Sequence, residues 1–469
     1  MQSPLGSSVG KSPGIGYRRG RLPAAVWLAL LLAHALACGY ALRTGHYTFP
    51  DTDRYLQAAQ NIAQHGQLYA RPWPVSPPTG QAVQEFTIRP PGYPLLVLAL
   101  GAPLGILLLQ NALSIGALAV VLRGWAAGRA RQPSRGAWAA ALLLALSFPA
   151  QLIYANALMS EIPLQAVLLL GAGLAARVVR TGRARYAAGL AGALVAAWLL
   201  KPVAAPSTVV AALLLGWLAW RQRRPALALL GVLPLLLALG YMGWNWQRTG
   251  YFHFSSITDI NLLHYNAAGV LRQAEGPAAE DAWLAGALRR ANAQPTFASR
   301  QRTIEAAAGA VLRRYPLRYA GQHLLGMGTF LLDPGRFDLG VFLGQNHFAG
   351  LLDQLRGRGL AGVVAALIRQ PPAWLAALLL AALANAGRAG LALRGLLRAG
   401  PRAAPAVSDW LALGSRGGRW LAGGLVLYVA LLTGPLGAAR FVVPVWPLLL
   451  ALALRGLPEA APGSRSLRP

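Results

Sequence analysis

Long apolar runs separated by arginine-rich gaps constrain this chain more than any other feature. Ten stretches of about span length occur, at 24–42, 104–123, 136–153, 162–179, 186–200, 203–220, 226–245, 372–390, 418–434 and 438–455. A helix crossing a bilayer needs roughly 17–25 such residues. The expected fold is therefore an all-α polytopic membrane protein with about ten to eleven transmembrane helices. The stretch 186–200 is the shortest of the ten. The apolar stretch 91–102, between Pro90-Pro91 and Pro103, is shorter still. It reads as an interfacial or re-entrant helix, too short to cross.

Composition narrows the function classes. The chain is 55% hydrophobic and 12% charged, about half the charge of an ordinary soluble domain. Disorder is excluded by the hydrophobicity. The single cysteine, Cys38, excludes a disulfide scaffold and a Cys-based metal site. Lys+Arg outnumber Asp+Glu by 43 to 14, a net charge of +29, which by itself suggests nucleic acid. The basic residues are nearly all Arg, however, and they fall between the runs.

Starting Lys11, Arg18, Arg19 and Arg21 in the cytoplasm and switching sides at each span makes those gaps an orientation signal. The inner loops then hold Arg123, Arg129, Arg131 and Arg135, next Arg177, Arg180, Arg183 and Arg185, and next Arg221, Arg223 and Arg224. Arg388, Arg394, Arg398, Arg402, Arg416 and Arg419 follow, with Arg455, Arg465 and Arg468 last. Counting 91–102 as a span would invert the later loops. Only Asp409 and Glu459 among the acids lie inside; the rest gather outside.

The plan gives a cytoplasmic tail (1–23), a membrane domain (24–245) with an external loop (43–103), and an external segment (246–371). C-terminal spans (372–455) and a second cytoplasmic tail (456–469) complete it. The external segment mixes helical patterns with Gly/Pro breaks and suits a small lid. The first run shares a basic start with signal peptides, and Ala35-Leu36-Ala37-Cys38 is faintly similar to a lipoprotein cleavage site. Its length and the position of the Leu favour an ordinary first span.

Chemistry concentrates in the first external loop. Asp51, Tyr55, Ala58, Ala59 and Ile62 follow helical spacing, so an amphipathic helix starts near Asp51, a plausible N-cap after Pro50. Further on, Arg89 precedes Pro90-Pro91-Gly92-Tyr93-Pro94 at the mouth of the short apolar helix. There an Arg suits a lipid phosphate, which it can bind by paired hydrogen bonds. A carboxylate suits a general base, and a cation suits a departing phosphate.

Two parts of this loop together resemble the first external loop of GT-C glycosyltransferases, nearest the protein O-mannosyltransferase and aminoarabinose-transferase group. They are Asp51-x-x-x-Tyr55-x-x-x-Ala59-x-x-Ile62 and Arg89-Pro90-Pro91-Gly92-Tyr93-Pro94-Leu95. Tyr154-Ala155-Asn156-Ala157-Leu158-Met159-Ser160-Glu161-Ile162-Pro163 is similar to the family's second external turn. Arg440-Phe441-Val442-Val443-Pro444 is similar to the opening of its last span, and Trp244-Asn245-Trp246-Gln247-Arg248-Thr249-Gly250 to the segment leaving a middle span. The resemblance implies a multi-pass enzyme of a bacterial-type plasma (inner) membrane, with both termini cytoplasmic and its active site on the outer face. Its donor would be a polyprenyl-phosphate-linked sugar and its acceptor a lipid, glycan or protein.

On that resemblance Asp51 is the catalytic carboxylate and Arg89 binds the carrier phosphate. Many members have Glu directly after the catalytic Asp. Here that position is Thr52 and the second acid is Asp53, so both acids remain candidate bases, with Asp51 favoured. Lys201, at the outer end of a span, and Arg440 are candidate second cations for the phosphate; each also suits a plain interfacial anchor. Tyr55, Tyr93, Glu161, His264 and Asn266 are candidate substrate contacts. His46 and His65 near Asp51 and Asp53 leave a divalent cation open, though no tight ligand spacing is present. Arg313-Arg314-Tyr315-Pro316-Leu317-Arg318-Tyr319 suits anionic headgroups.

No Walker or G-x-S-x-G motif occurs. The rival reading is a transporter or flippase of a lipid-linked or anionic solute. Transporters place functional charges mid-membrane, whereas the span cores here are nearly free of ionisable residues.

Overall fold

The computed structural model describes residues 21–129, 132–345, 361–362, 364–365, 368, 371–398, 411 and 415–458. Lys11, Arg18, Arg19, Arg131, Asp353, Arg402, Asp409, Glu459, Arg465 and Arg468 lie outside the described residues. All regular structure among the described residues is helical.

The membrane bundle begins with α1 (Ala24–Thr44). The loop after α1 holds α2 (Thr52–His65), a 3₁₀ turn (Ala82–Phe86) and α3 (Gly92–Leu100). Then come α4 (Pro103–Ala127), α5 (Arg135–Leu146), α6 (Pro149–Ala155), α7 (Glu161–Thr181), α8 (Ala184–Leu200), α9 (Ser207–Gln222) and α10 (Pro225–Thr249). An outer layer follows, of α11 (Ile257–Asn261), a π turn (Leu262–Ala267), α12 (Ala268–Glu275), α13 (Pro277–Asn292), α14 (Phe297–Arg314), α15 (Pro316–Leu332) and α16 (Arg336–Phe342). The last spans are α17 (Pro372–Leu397), α18 (Arg416–Thr433), α19 (Ala439–Val442) and α20 (Trp446–Gly456).

Eight of these helical stretches are long and apolar enough to cross a membrane. Their outward leucines are bare, as at Leu28, Leu213, Leu229 and Leu380, which suits lipid rather than water. The ten expected runs all fall on helices, with two departures from plain spans. The run 136–153 is not one straight helix. It is α5 and α6, bent by 60°, because Pro149 lacks an N–H and holds Phe148 extended. The run 186–200 is α8, an apolar helix too short for the same length criterion. The nine-residue α3 is short as expected.

A bend inside a membrane leaves carbonyls without partners, and Arg388 supplies them. The expectation that Arg388 sits in a cytoplasmic loop is wrong: it is buried within α17. Its Nη1 donates to the Ser147 carbonyl at 2.6 Å and to Ser147 Oγ at 2.5 Å, and its Nη2 donates to Asn385 Oδ1. The guanidinium lies over Phe148 and Trp446.

A chain of buried polar side chains also ties the spans together. His34 meets Ser114 Oγ at 2.8 Å, Gln151 donates to Ser114 Oγ at 2.7 Å, and Gln151 and Gln165 exchange hydrogen bonds. Gln165 donates to the Val443 carbonyl at 2.5 Å. That last bond fixes α7 against the start of the final span, one turn from Glu161 on one side and three residues from Arg440 on the other.

The outer layer has small cores of its own, around Val270, Leu271 and Val311, and around Ala287, Ala291 and Ile304. It braces the loop between α2 and α3. His253 meets Thr87 Oγ1 at 2.8 Å, Ser255 Oγ donates to the Ile88 carbonyl, and Arg300 donates to Gln84 Oε1 at 2.8 Å.

Candidate active site

Five segments far apart in sequence meet at one end of the bundle. Helices α7 and α8 carry Glu161 and Lys201 at this end and Arg180, Arg183 and Arg185 at the other, so the site lies opposite the arginine-rich turns.

Asp51 occupies the N-cap position of α2, but its side chain caps nothing. Thr52 does the local fastening: its Oγ1 accepts from Phe49 N–H at 2.8 Å and donates to the Leu158 carbonyl. The Asp51 carboxylate is left to turn toward two arginines. Arg89 Nη2 donates to Oδ1 at 2.5 Å, and Arg440 Nη2 donates to Oδ2 at 3.1 Å.

Arg89 is placed by a close approach of backbones. A Cβ on Gly92 would lie 2.6 Å from the Leu199 carbonyl oxygen, so only glycine lets the Arg89-Pro90-Pro91 turn press on the end of α8. Lys201, just past that end, pairs with Glu161, the first residue of α7. Arg440 completes the link, with its Nε 3.7 Å from Glu161 Oε1. Its short helix α19 is anchored by Asp333, which accepts from Ala439 N–H at 2.7 Å and from Gly335 N–H.

The result is an alternating row, Arg89, Asp51, Arg440, Glu161, Lys201, with three cations and two carboxylates. The surplus positive charge suits an anion. Glu161 is 0% exposed, whereas the Asp51 and Arg440 side chains are 22% and 23% exposed, so the row is open at Asp51 and Arg440. Burial alone would raise the Asp51 carboxyl, but Arg89, Arg440 and Lys201 together outweigh it and hold the group below the usual carboxylate range. Three donor and acceptor atoms in the row are unspent: Arg89 Nε, Arg440 Nε and Glu161 Oε2 are buried without a hydrogen-bond partner.

The other sequence candidates sit elsewhere. Asp53 is exposed on the first turn of α2 and is not part of the row. Tyr55 and Tyr93, expected as substrate contacts, are buried beside the row. Their rings meet at 4.7 Å, Tyr55 lies under the Arg89 guanidinium and meets Ser160, and Tyr93 donates to Gln110 Oε1 at 2.9 Å. His264 and Asn266 lie on the π turn of the outer layer, where Asn266 donates to the Asn261 carbonyl; no bond joins them to the row. At the far end of α2's buried face, Asn61 rather than Ile62 is enclosed, donating to the Tyr69 and Arg71 carbonyls at 2.7 Å.

The described residues form no cluster of metal-ligating side chains. His46 is turned to the Phe342 carbonyl and His65 is stacked on Trp73. Both carboxylates of the row already face cations, and no group of three or more His, Cys, Asp or Glu converges among the described residues.

Sequence reasoning passed over Asp333 and Arg54. Asp333 opens an Asp-Pro-Gly turn, a recognisable signal for an acid that bonds nearby backbone. Arg54 lies one turn after Asp51 and is 3.7 Å from Glu85, which Arg71 also approaches at 3.5 Å. Its spacing from Asp51 was the available signal.

No protein-family model matches the chain, and no curated protein matches it. Among solved structures, the arabinosyltransferase EmbB from Mycobacterium smegmatis aligns over 94% of this chain and 42% of its own, at 15% identity and a TM-score of 0.30. The chain thus spans less than half the length of that structure. A likeness this slight decides neither fold nor activity.

Proposed function

We propose that this protein is a membrane glycosyltransferase that moves a sugar from a polyprenyl-phosphate carrier to an acceptor on the outer face. The observation that carries this is the meeting of Asp51 with Arg89 and Arg440, and of Arg440 with Lys201 through Glu161, from five separate segments. A proton acceptor thus stands beside a surplus of cations.

Asp51 takes the proton of an acceptor hydroxyl or amine. The freed lone pair forms the new bond at the anomeric carbon while the bond to the phosphate oxygen breaks, its electron pair leaving with the phosphate. That phosphate gains negative charge as it departs, and Arg89, Arg440 and Lys201 stabilise it there more than in the ground state. A single displacement inverts the anomeric centre. Asp53, exposed and outside the row, is the weaker candidate base.

The transporter reading gains one argument, since Arg388 lies buried within a span. Its guanidinium is closed off by Ser147, Asn385, Phe148 and Trp446, which suits a helix clamp better than a conduction path. The test is transfer from a panel of labelled polyprenyl-phosphate sugars by protein in liposomes, with Arg89→Gln alongside. Transfer that falls steeply in the variant supports the assignment. No transfer from any donor, with solute flux instead, selects the transporter.

A further inference from the structure

The row contains a contradiction for an enzyme at rest. A general base must be free to accept a proton, yet each oxygen of Asp51 is held by a guanidinium. The arginines are underused at the same time. Each reaches Asp51 through Nη2 alone, and Arg89 Nε is buried with no partner. A planar guanidinium is built to bind an oxyanion by two parallel bonds, and a carboxylate bridging two such groups leaves that capacity unspent on both.

The geometry points to Asp51 as an internal stand-in for the carrier phosphate: it occupies the Arg89–Arg440 pair, and phosphate entry displaces and thereby frees it. The proposal rests on the assignment of Arg89 and Arg440 to the carrier phosphate. Donor binding then does two things at once. It takes the two guanidiniums for the group that will leave, and it releases the carboxylate that must deprotonate the acceptor. Without donor, Asp51 stays clamped and acceptors are not activated.

Lys201 and Glu161 complete the device. Glu161 is sealed and already neutralised by Lys201 and Arg440, so it stays in place and keeps Arg440 near the site when Asp51 lets go. The exposed end of the row, at Asp51 and Arg440, is where an anion can enter.

Competition between carboxylate and phosphate has a consequence opposite to simple loss of a catalytic residue. Removing the Asp51 charge should tighten phosphate binding while stopping transfer. The experiment measures binding of a polyprenyl monophosphate, and separately of inorganic phosphate, to the full chain in nanodiscs. It compares wild type, Asp51→Asn, Asp53→Asn and Arg89→Gln, with thermal melts confirming that each is folded.

The expected result is about tenfold tighter polyprenyl phosphate binding in Asp51→Asn, little change in Asp53→Asn, and weaker binding in Arg89→Gln. Inorganic phosphate should shift in the same direction if the headgroup alone displaces Asp51; a shift confined to the lipid form assigns the displacement to the membrane-borne carrier. Unchanged or weaker binding in Asp51→Asn overturns the stand-in role, and equal tightening in Asp53→Asn overturns it too, as general electrostatics. Either leaves the transferase assignment to its own transfer assay. No binding of polyprenyl phosphate by wild type removes both.

Discussion

Glu161 shows most plainly how the site is held together. It is fully buried between Lys201 and Arg440, and a buried pair broken on one side leaves an uncompensated charge costing about 3–5 kcal/mol. Glu161→Gln is therefore expected to lower stability by about that amount, and Glu161→Gln with Lys201→Met to recover part of it; thermal melts of the purified protein in detergent measure both. Asp259, in the outer layer, gives a pH prediction. Burial, with Glu305 adding and Arg300 opposing, pushes its carboxyl up to about 7. A carboxyl raised above its unfolded value of about 3.9 favours the fold below that pH, and this contribution is lost as pH rises toward 7. Hydrogen exchange in α11 and α14 should accordingly quicken from pH 4 to 7 beyond the intrinsic trend, and Asp259→Asn should remove the excess.

Elements are joined by two contacts that single substitutions can break. Gly92 lets α3 lie against α8, and Gly92→Val would drive α3 away from Leu199 and Arg89 away from Asp51. Transfer should drop at least tenfold with the helix content by circular dichroism unchanged. Arg388 closes the α5–α6 bend, and Arg388→Leu leaves the Ser147 carbonyl bare in the membrane, expected to cost about 2 kcal/mol. Arg388→Lys should rescue little, since a point charge does not reproduce the planar fork; melts of both variants measure this.

These elements also mark where the sequence was readable. Apolar length located the spans, because burial in lipid imposes length directly. It could not reveal the α5–α6 bend, since Pro149 sits among residues as apolar as any span. Nor could charge counting place Arg388, because its partners are a carbonyl, a hydroxyl and an amide supplied by other helices. The resemblance already grouped Asp51, Arg89, Lys201 and Arg440 around one carrier phosphate, with Glu161 as a substrate contact. The direct pairing of the two carboxylates with the three cations was not legible, because it depends on Gly92 packing and on Gln165 bonding to Val443. The burial of Tyr55 and Tyr93 was not legible, because a tyrosine that braces a charged site carries the same local signal as one that lines it.

For the molecule as a whole, the surplus of arginine divides between the two ends of the bundle. The turns joining α7 to α8 and α9 to α10 hold Arg183, Arg223 and Arg224, with Arg185 at the start of α8, while Arg89 and Arg440 lie at the opposite end with Lys201. The account expects the arginine-rich turns in the cytoplasm. With Cys38 replaced by Ser, Asp53→Cys should be labelled in intact cells by a membrane-impermeant maleimide and Arg223→Cys only after permeabilisation; the reverse pattern would invert the topology. The central claim is that Asp51 removes the acceptor proton during sugar transfer from a polyprenyl-phosphate carrier. Its most direct test is transfer from labelled polyprenyl-phosphate sugars by wild type and Asp51→Asn in the same liposomes. Measurable transfer by wild type and a loss of about 10²-fold or more in the variant are expected, with the variant still folded. Equal transfer by the two would contradict it.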